Sequence, residues 1–478
     1  MKKSKLIILT FLILNFQFST FNCFAQFTKI FDFSDSLSGN APNGNLISVG
    51  PYLYGLTAQG GTNPPNIVNG RGVIFKIKPD GTGYTKLLSC NDTTGTHPYG
   101  SLVSDGTYLY GMMSLKGKNG DGTAFKIKTD GTGFSKLLDF GTVSSDGRVP
   151  SGSFILIGSF LYGMTSSGGT SGKGILFKIK TDGTGYSKLL DFNGTSNGSS
   201  PTGTLIYDGT YFYGVTSDGG SADKGVIFRI KLDGTGYSKL MDFSGAGSGK
   251  RPVGQLISDG TYMYGTTGSG GGVNDMGIIF RIRTDGTGYT TLHTFQGTTD
   301  GRVPSQSLYL SGTTLSGMST RGGFNDFGVI FKIKTDGTGF SKLLDFNGTP
   351  TGSKPFGSFL SDGTFLYAMT SEGGTSGNGV IFKYQIGTIG TKDVTIQNPL
   401  FDIYPNPTNG AFTVSLLNQA STGQYYVSIL SIYGQIIEEK SFTGIISFET
   451  STWAKGMYFV ELEDENGIRV GTKKVVVE

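Results

Sequence analysis

Apolar and polar residues alternate in short bursts along this chain, and one burst returns until the C-terminal region. Its cleanest copy, Gly174 to Phe192, reads GILFKIKTDGTGYSKLLDF. Phe177-Lys178-Ile179-Lys180 has the period of a half-buried strand. Asp182-Gly183-Thr184-Gly185 supplies residues that tolerate positive φ, so the chain can reverse tightly before Tyr186 to Phe192 returns. The pattern predicts a β-hairpin. Its opening phenylalanine recurs at Phe75, Phe125, Phe177, Phe228, Phe280, Phe331 and Phe382, at intervals of 50, 52, 51, 52, 51 and 51 residues.

Extending the hairpin reveals the whole unit. Thr204-Leu205-Ile206-Tyr207, an Asp208-Gly209 turn and Thr210 to Thr216 precede the next hairpin. Each unit thus holds four short strands, here called A to D, as expected for one blade of a β-propeller. The A–B turn is Asp-Gly at Asp105, Asp208, Asp259 and Asp362, and differs at Gly50-Pro51, Gly158 and Gly312. After Phe382 the chain never makes its D strand. That strand appears instead at the other end, where Thr28-Lys29-Ile30-Phe31-Asp32-Phe33 matches Ser187-Lys188-Leu189-Leu190-Asp191-Phe192 position by position. A circular shift of this kind predicts a closed ring, whereas an open solenoid would need polar capping repeats. The expectation is an all-β chain: a seven-bladed β-propeller over 26–386, closed by an N-terminal strand at 27–33.

Residues 387–399 read as a linker, and beyond them the period vanishes. Alternating strands at Phe412–Leu416, Tyr426–Ile432, Ile446–Phe448, Met457–Leu462 and Thr472–Val477 predict a small β-sandwich over 400–478, which holds the single tryptophan, Trp453. In the repeats, blade topology puts the minimal A–B and C–D turns on one face and the longer D–A and B–C loops on the other. Function is expected among those long loops. The first B–C loop, Thr62 to Arg71, carries an insertion.

Composition adds an address. Lys2, Lys3 and Lys5 precede the apolar run Leu6 to Leu14, and Cys23-Phe24-Ala25 ends in a small residue. This is the pattern of a secretory signal peptide over 1–25, its apolar run too short to span a membrane. No transmembrane segment is expected in the mature chain. Cleavage after Ala25 leaves Cys90 as its only cysteine, hence no intramolecular disulfide. The 79 glycines punctuate apolar strands rather than forming a collagen period, and a net charge of +4 over 478 residues argues against nucleic-acid binding.

Two resemblances follow from specific residues. Leu161-Tyr162-Gly163-Met164-Thr165, Gly168-Gly169, Gly174-Ile175-Leu176-Phe177 and Asp182-Gly183-Thr184-Gly185 resemble the tandem repeat known as GloVer, found in secreted bacterial proteins. That resemblance implies no established activity. The C-terminal region is similar to the type IX secretion sorting domain of Bacteroidetes-type bacteria. The match runs through Tyr404-Pro405-Asn406-Pro407-Thr408-Asn409-Gly410, Ile432-Tyr433-Gly434, Lys455-Gly456-Met457-Tyr458 and Lys473-Lys474-Val475-Val476-Val477. It implies handling by the type IX secretion machinery, export to the outer cell surface, and attachment to surface lipopolysaccharide after the module is removed.

Catalytic motifs are mostly absent from the sequence: no HExxH, CxxC or D-x-D-x-D-G loop occurs. Gly169 to Gly174 lacks the spacing of a phosphate loop and sits between strands. No cofactor or metal is expected. His293 falls in the slot of Leu190 and Leu344, and Cys90 in that of Phe192 and Phe346, so both read as strand and core residues. A recurring P-x-G leads each D–A loop into strand A, and the residue before proline varies: Ala41, His97, Val149, Ser200, Arg251, Val303 and Lys354, with Arg148 and Arg302 one step earlier. His97, Arg148, Arg251, Arg302 and Lys354 are therefore expected to collar the channel mouth, with Asp146 and Asp300 nearby to offset their charge. Such a collar suits an anionic or hydroxyl-rich ligand such as an extracellular glycan. A surface-displayed binding or scaffolding module is the leading expectation. The alternatives are a glycoside hydrolase or lyase drawing on acids such as Asp146, Asp300 and Glu372, and a purely structural surface layer.

Overall fold

The repeated alternation becomes repeated antiparallel sheet in a computed structural model, which describes residues 26–34, 38–61, 70–245, 247–304, 307–385, 401–416, 423–431, 436–465 and 469–478. The signal peptide, the 387–399 linker, Gly434 and most of the Thr62–Arg71 insertion lie outside the described residues. All regular structure among the described residues is β.

A representative sheet runs Ile206–Tyr207, Tyr211–Thr216, Val226–Lys231, Ser238–Asp242, each strand paired to the next. Six more described sheets are built around the C strands Val73–Ile77, Thr123–Lys128, Ile175–Lys180, Ile278–Arg283, Val329–Lys334 and Val380–Gln385. Strand A is split in two of them, as Gly147–Pro150 with Ile155–Ile157 and as Lys250–Pro252 with Ile257–Ser258. The ladder lapses there at 151–154 and 253–256, the stretch that follows the proline. The C–D pairing skips one residue: Leu176 faces Leu190 but Phe177 faces Lys188, so Leu189 bulges.

The strand Phe27–Asp32 pairs antiparallel with Val380–Gln385 and occupies the D position of the last sheet. It carries the same bulge, at Ile30. The motive is apolar. Phe27 stacks on Phe382 at 5.0 Å, and Phe33 is fully buried against Phe75 of the first sheet. Burying one such ring contributes ~1.5–3 kcal/mol.

Neighbouring sheets share their cores. Tyr162, Leu176 and Phe192 pack with Phe212 and Phe228, and Tyr213 and Ile227 with Met263 and Phe280. The sequence of shared cores returns on itself, for Tyr367, Met369 and Ile381 of the last sheet pack with Leu46, Leu53 and Phe75 of the first. A backbone interlock accompanies each core. The glycine opening strand C adopts φ between +96° and +102°, and a Cβ there would come within 2.6–2.9 Å of the next sheet's proline Cδ. Gly174 meets Pro201 in this way, and Gly379 meets Pro42.

In the C-terminal region, the three-stranded sheet Phe401–Tyr404, Ala411–Leu416, Ile445–Glu449 shares one core with the four-stranded sheet Ile436–Phe442, Tyr425–Ser431, Gly456–Glu463, Arg469–Val477. Two of these strands were not expected. Ile436–Phe442 begins with two exposed isoleucines and continues through Glu-Glu-Lys, so no clean alternation marks it. Phe401–Tyr404 is four residues long and runs straight into the Pro405 and Pro407 segment.

Candidate functional site at the loop end

The two ends of the sheets are built differently. At the turn end, Asp182 Oδ1 accepts hydrogen bonds from Thr184 N at 2.8 Å and Thr184 Oγ1 at 2.7 Å. Asp80, Asp130, Asp233, Asp285 and Asp336 do the same for their own threonines. At the loop end, D–A and B–C loops bond to each other, as where Gly220 N donates to Gly194 O.

The residue before each proline is held by its backbone. Its N–H donates to a B–C loop carbonyl of the preceding sheet: His97 to Arg71, Val149 to Asp121, Ser200 to Lys173, Arg251 to Lys224, Val303 to Met276 and Lys354 to Phe327, with Ala41 to Asn378 joining first and last. All seven take φ between +52° and +56°, a conformation that costs ~1–3 kcal/mol for a side chain such as valine. The interlock imposes it.

Each expected collar residue is committed to a local partner rather than to another member of the set. Arg302 forks onto Asp326, Nε to Oδ1 at 2.9 Å and Nη2 to Oδ2 at 2.6 Å. Lys354 Nζ donates to Glu372 Oε1 at 2.7 Å. Arg148 Nε lies 3.6 Å from Asp121 Oδ2, and Arg251, largely exposed, lies 4.0 Å from Asp218 Oδ1. His97 Nδ1 is 3.0 Å from Thr96 Oγ1 and its ring is beside Tyr99. Burial, then the Arg71 guanidinium, holds its imidazole below the ordinary value.

The offsetting acids are not the expected ones. Asp146 Oδ2 accepts from Thr142 Oγ1 and Val143 N, while Asp300 accepts from Gln296 N and pairs with His293 Nε2 at 2.8 Å. Both cap their own loops. Asp121, Asp218 and Asp326, on B–C loops that cross the D–A loops, and Glu372, at the end of a B strand, sit beside the cations instead.

Sequence reasoning missed a polar belt joining the A edges of successive sheets. It comprises the residues following P-x-G or its variant. Asn45 N donates to Ser101 Oγ, Ser101 N to Ser153 Oγ, Ser153 N to Thr204 Oγ1 and Gln255 N to Ser307 Oγ. Ser358 N returns to Asn45 Oδ1. The signal was present as a polar residue between each P-x-G and a buried leucine or phenylalanine. The adjoining glycines allow the approach, since a Cβ on Gly44 would lie 2.3 Å from Gly100 O. A second missed feature is exposed apolar surface. In the repeat region the described exposed large apolar residues are Tyr99, Leu115, Val143, Val273, Phe324 and Phe327, and all lie on D–A loops, P-x-G entries or B–C loops.

In the C-terminal module the sorting-motif residues converge. Asn406 Nδ2 donates to Lys474 O at 2.6 Å, and Val476 N donates to Asn406 Oδ1 at 3.0 Å. Lys473 pairs with Asp402, and Tyr458 Oη donates to Ala454 O. Tyr404, Pro405 and Pro407 thus run beside the last strand, with Gly410 and Gly456 at strand entries. Among the described residues no helix is long and apolar enough to cross a membrane.

Known families match both regions. Residues 16–160, 158–323 and 257–434 match the Gloeobacter/Verrucomicrobia repeat, and 402–478 match the secretion system C-terminal sorting domain. No curated protein matches the sequence. Among solved structures, an oligogalacturonate lyase from Vibrio parahaemolyticus superposes with a TM-score of 0.49 at 10% identity, covering 76% of this chain and 93% of its own. An extracellular domain from B. thetaiotaomicron gives 0.48 at 11%, covering 95% of this chain and 57% of its own. A Niastella koreensis GH74 enzyme gives 0.44 at 12%, covering 91% and 66%.

Proposed function

Because the chain belongs to the Gloeobacter/Verrucomicrobia repeat family and ends in a type IX sorting domain, we propose that it is a surface-displayed binding module. Its body is a seven-bladed β-propeller over 26–386, closed by the N-terminal strand. The shared core between last and first sheets, the matching bulge at Ile30 and the Gly379–Pro42 contact support that closure. The 400–478 module is a β-sandwich read by the secretion machinery, and after its removal the repeat body is attached to lipopolysaccharide on the outer surface.

One observation carries the binding reading: the described exposed large apolar side chains of the repeat region all lie on the loop end. Water penalises such rings and chains, so a fold that places them on one face only leaves that face suited to a partner. The ion pairs beside them supply donors and acceptors for hydroxyl groups. An extracellular glycan is the partner this chemistry fits. A glycan array probed with the purified mature chain tests it. Binding to at least one polysaccharide class is expected, and a blank array would refute the glycan reading. In the native host, a chain lacking 402–478 is expected to be lost from the cell surface.

A further inference from the structure

Phe324 is the aromatic residue of the repeat region that the fold leaves most exposed among the described residues, at 86%. It sits at the tip of the B–C loop Gly322-Gly323-Phe324-Asn325-Asp326-Phe327-Gly328. The equivalent tips carry Thr170, Ser221 and Thr375. All four are anchored alike. Phe324 N donates to Asp345 Oδ1 at 2.9 Å, as Thr170 N does to Asp191, Ser221 N to Asp242 and Thr375 N to Asp32. The loop forms without an aromatic ring, so the ring is not there to build the loop.

The backbone beneath it is pinned at several points. Gly323 N donates to Gly297 O and Gly328 N to Gly322 O, both at 3.0 Å. Asp326 Oδ1 also accepts from Gly322 N at 2.7 Å. A loop backbone held in place before its partner arrives loses little further freedom on binding. Two residues along, Asp326 forms its fork with Arg302, and both side chains remain partly exposed. Within the pair the two charges cancel, while Arg321, whose charge also reaches Asp326, adds a cation beside it. What is left is a donor edge and an acceptor edge side by side.

An aromatic face attracts the positively polarised C–H groups of an apolar surface. A compensated Arg–carboxylate fork bonds to groups that both donate and accept, as hydroxyls do, and offers a polyanion little net attraction. We propose that Phe324, with the Arg302–Asp326 pair, forms a sugar-stacking subsite for a neutral, pyranose-containing polysaccharide. This deepens the glycan-binding reading above and rests on it. The subsite lies at a B–C loop tip rather than on a basic collar.

Affinity gel electrophoresis of the mature chain tests this with four soluble probes: xyloglucan, galactomannan, mixed-linkage β-glucan and polygalacturonate. At least one neutral probe is expected to retard the wild type. Phe324→Ala should weaken that retardation about tenfold, at an unchanged melting temperature. Phe324→Trp should preserve it, and Ser221→Ala, at the equivalent tip of another B–C loop, should leave it unaltered. Equal retardation of Phe324→Ala and wild type would overturn the subsite while leaving glycan binding intact. Retardation by polygalacturonate alone, or by none of the four, would overturn the neutral-sugar assignment. A blank glycan array as well would remove the parent reading. Self-association lost in Phe324→Ala, without polysaccharide binding, would make the ring a protein contact and equally overturn the proposal.

Discussion

The turn end and the loop end of the sheets are made from the same strands, yet they obey different rules. At the turn end the aspartates of Asp105, Asp208, Asp259 and Asp362 each cap two backbone N–H groups and accept a tyrosine hydroxyl, at nearly identical distances. Lys126 and Arg281 reach from one sheet to the turn carbonyl of the next, at Thr181 and Thr335. At the loop end the floor is equally regular, with Phe33, Phe140, Phe192, Phe243, Phe295 and Phe346 buried in one slot and Cys90 in the seventh. Above that floor the backbone anchors still repeat, but loop lengths, the partners of the pre-proline cations and the exposed side chains change from sheet to sheet. The constant parts of the repeat carry the packing, and the variable tips form the face to which the proposed binding is assigned.

Substitutions can break or sharpen this contrast. The largest effect is expected from the loop-end floor. Phe33→Ala should cost ~3–5 kcal/mol in urea denaturation, because it empties the core between the last and first sheets. A loss below 1 kcal/mol would show that the N-terminal segment contributes little to closure.

Next comes a matched pair of aspartates. Asp259→Ala strands two turn N–H groups and the hydroxyl of the buried Tyr264, and should cost ~2–3 kcal/mol. Asp326→Ala removes a partly exposed ion pair and one acceptor for the Gly322 N–H, with no buried hydroxyl stranded, and should cost ~1 kcal/mol. Equal losses would erase the distinction between the ends.

The smallest effect concerns pH. Burial and then Arg71 depress the His97 pKa, so the folded state favours the neutral ring. Its contribution is present above the unfolded value of ~6.5 and is lost as pH falls through the lower folded value. An NMR titration should place His97 below 6.5, and His97→Gln should narrow the stability gap between pH 8 and pH 5. A midpoint at or above 6.5 contradicts this account.

Much of the architecture was legible because a period of about 51 residues carries its own alignment. Ile30 and Leu189, aligned by that period, share a bulge that the sequence reading did not predict, because backbone geometry repeats when the pattern does. The candidate site was less legible. The positions before proline were found, but their side chains were read as a collar. Their partners, Asp121, Asp218 and Asp326 on loops and Glu372 at a strand end, meet them through crossings that no local pattern records. Phe324 was visible as a residue but not as an exposed one, because apolar residues in the flanking strands bury theirs.

By itself the sequence determined the strands of the repeat, their order, the repeated turns, the family and the sorting address. These rest on contacts within one unit of about 51 residues or on motifs read in order. Only the tertiary structure decided which charges meet, which polar side chains cap the neighbouring sheet's backbone, and which rings stay in water. Those outcomes depend on contacts between units, such as Ser358 with Asn45 across 313 positions, where proximity follows from the closing geometry and leaves no trace in local pattern.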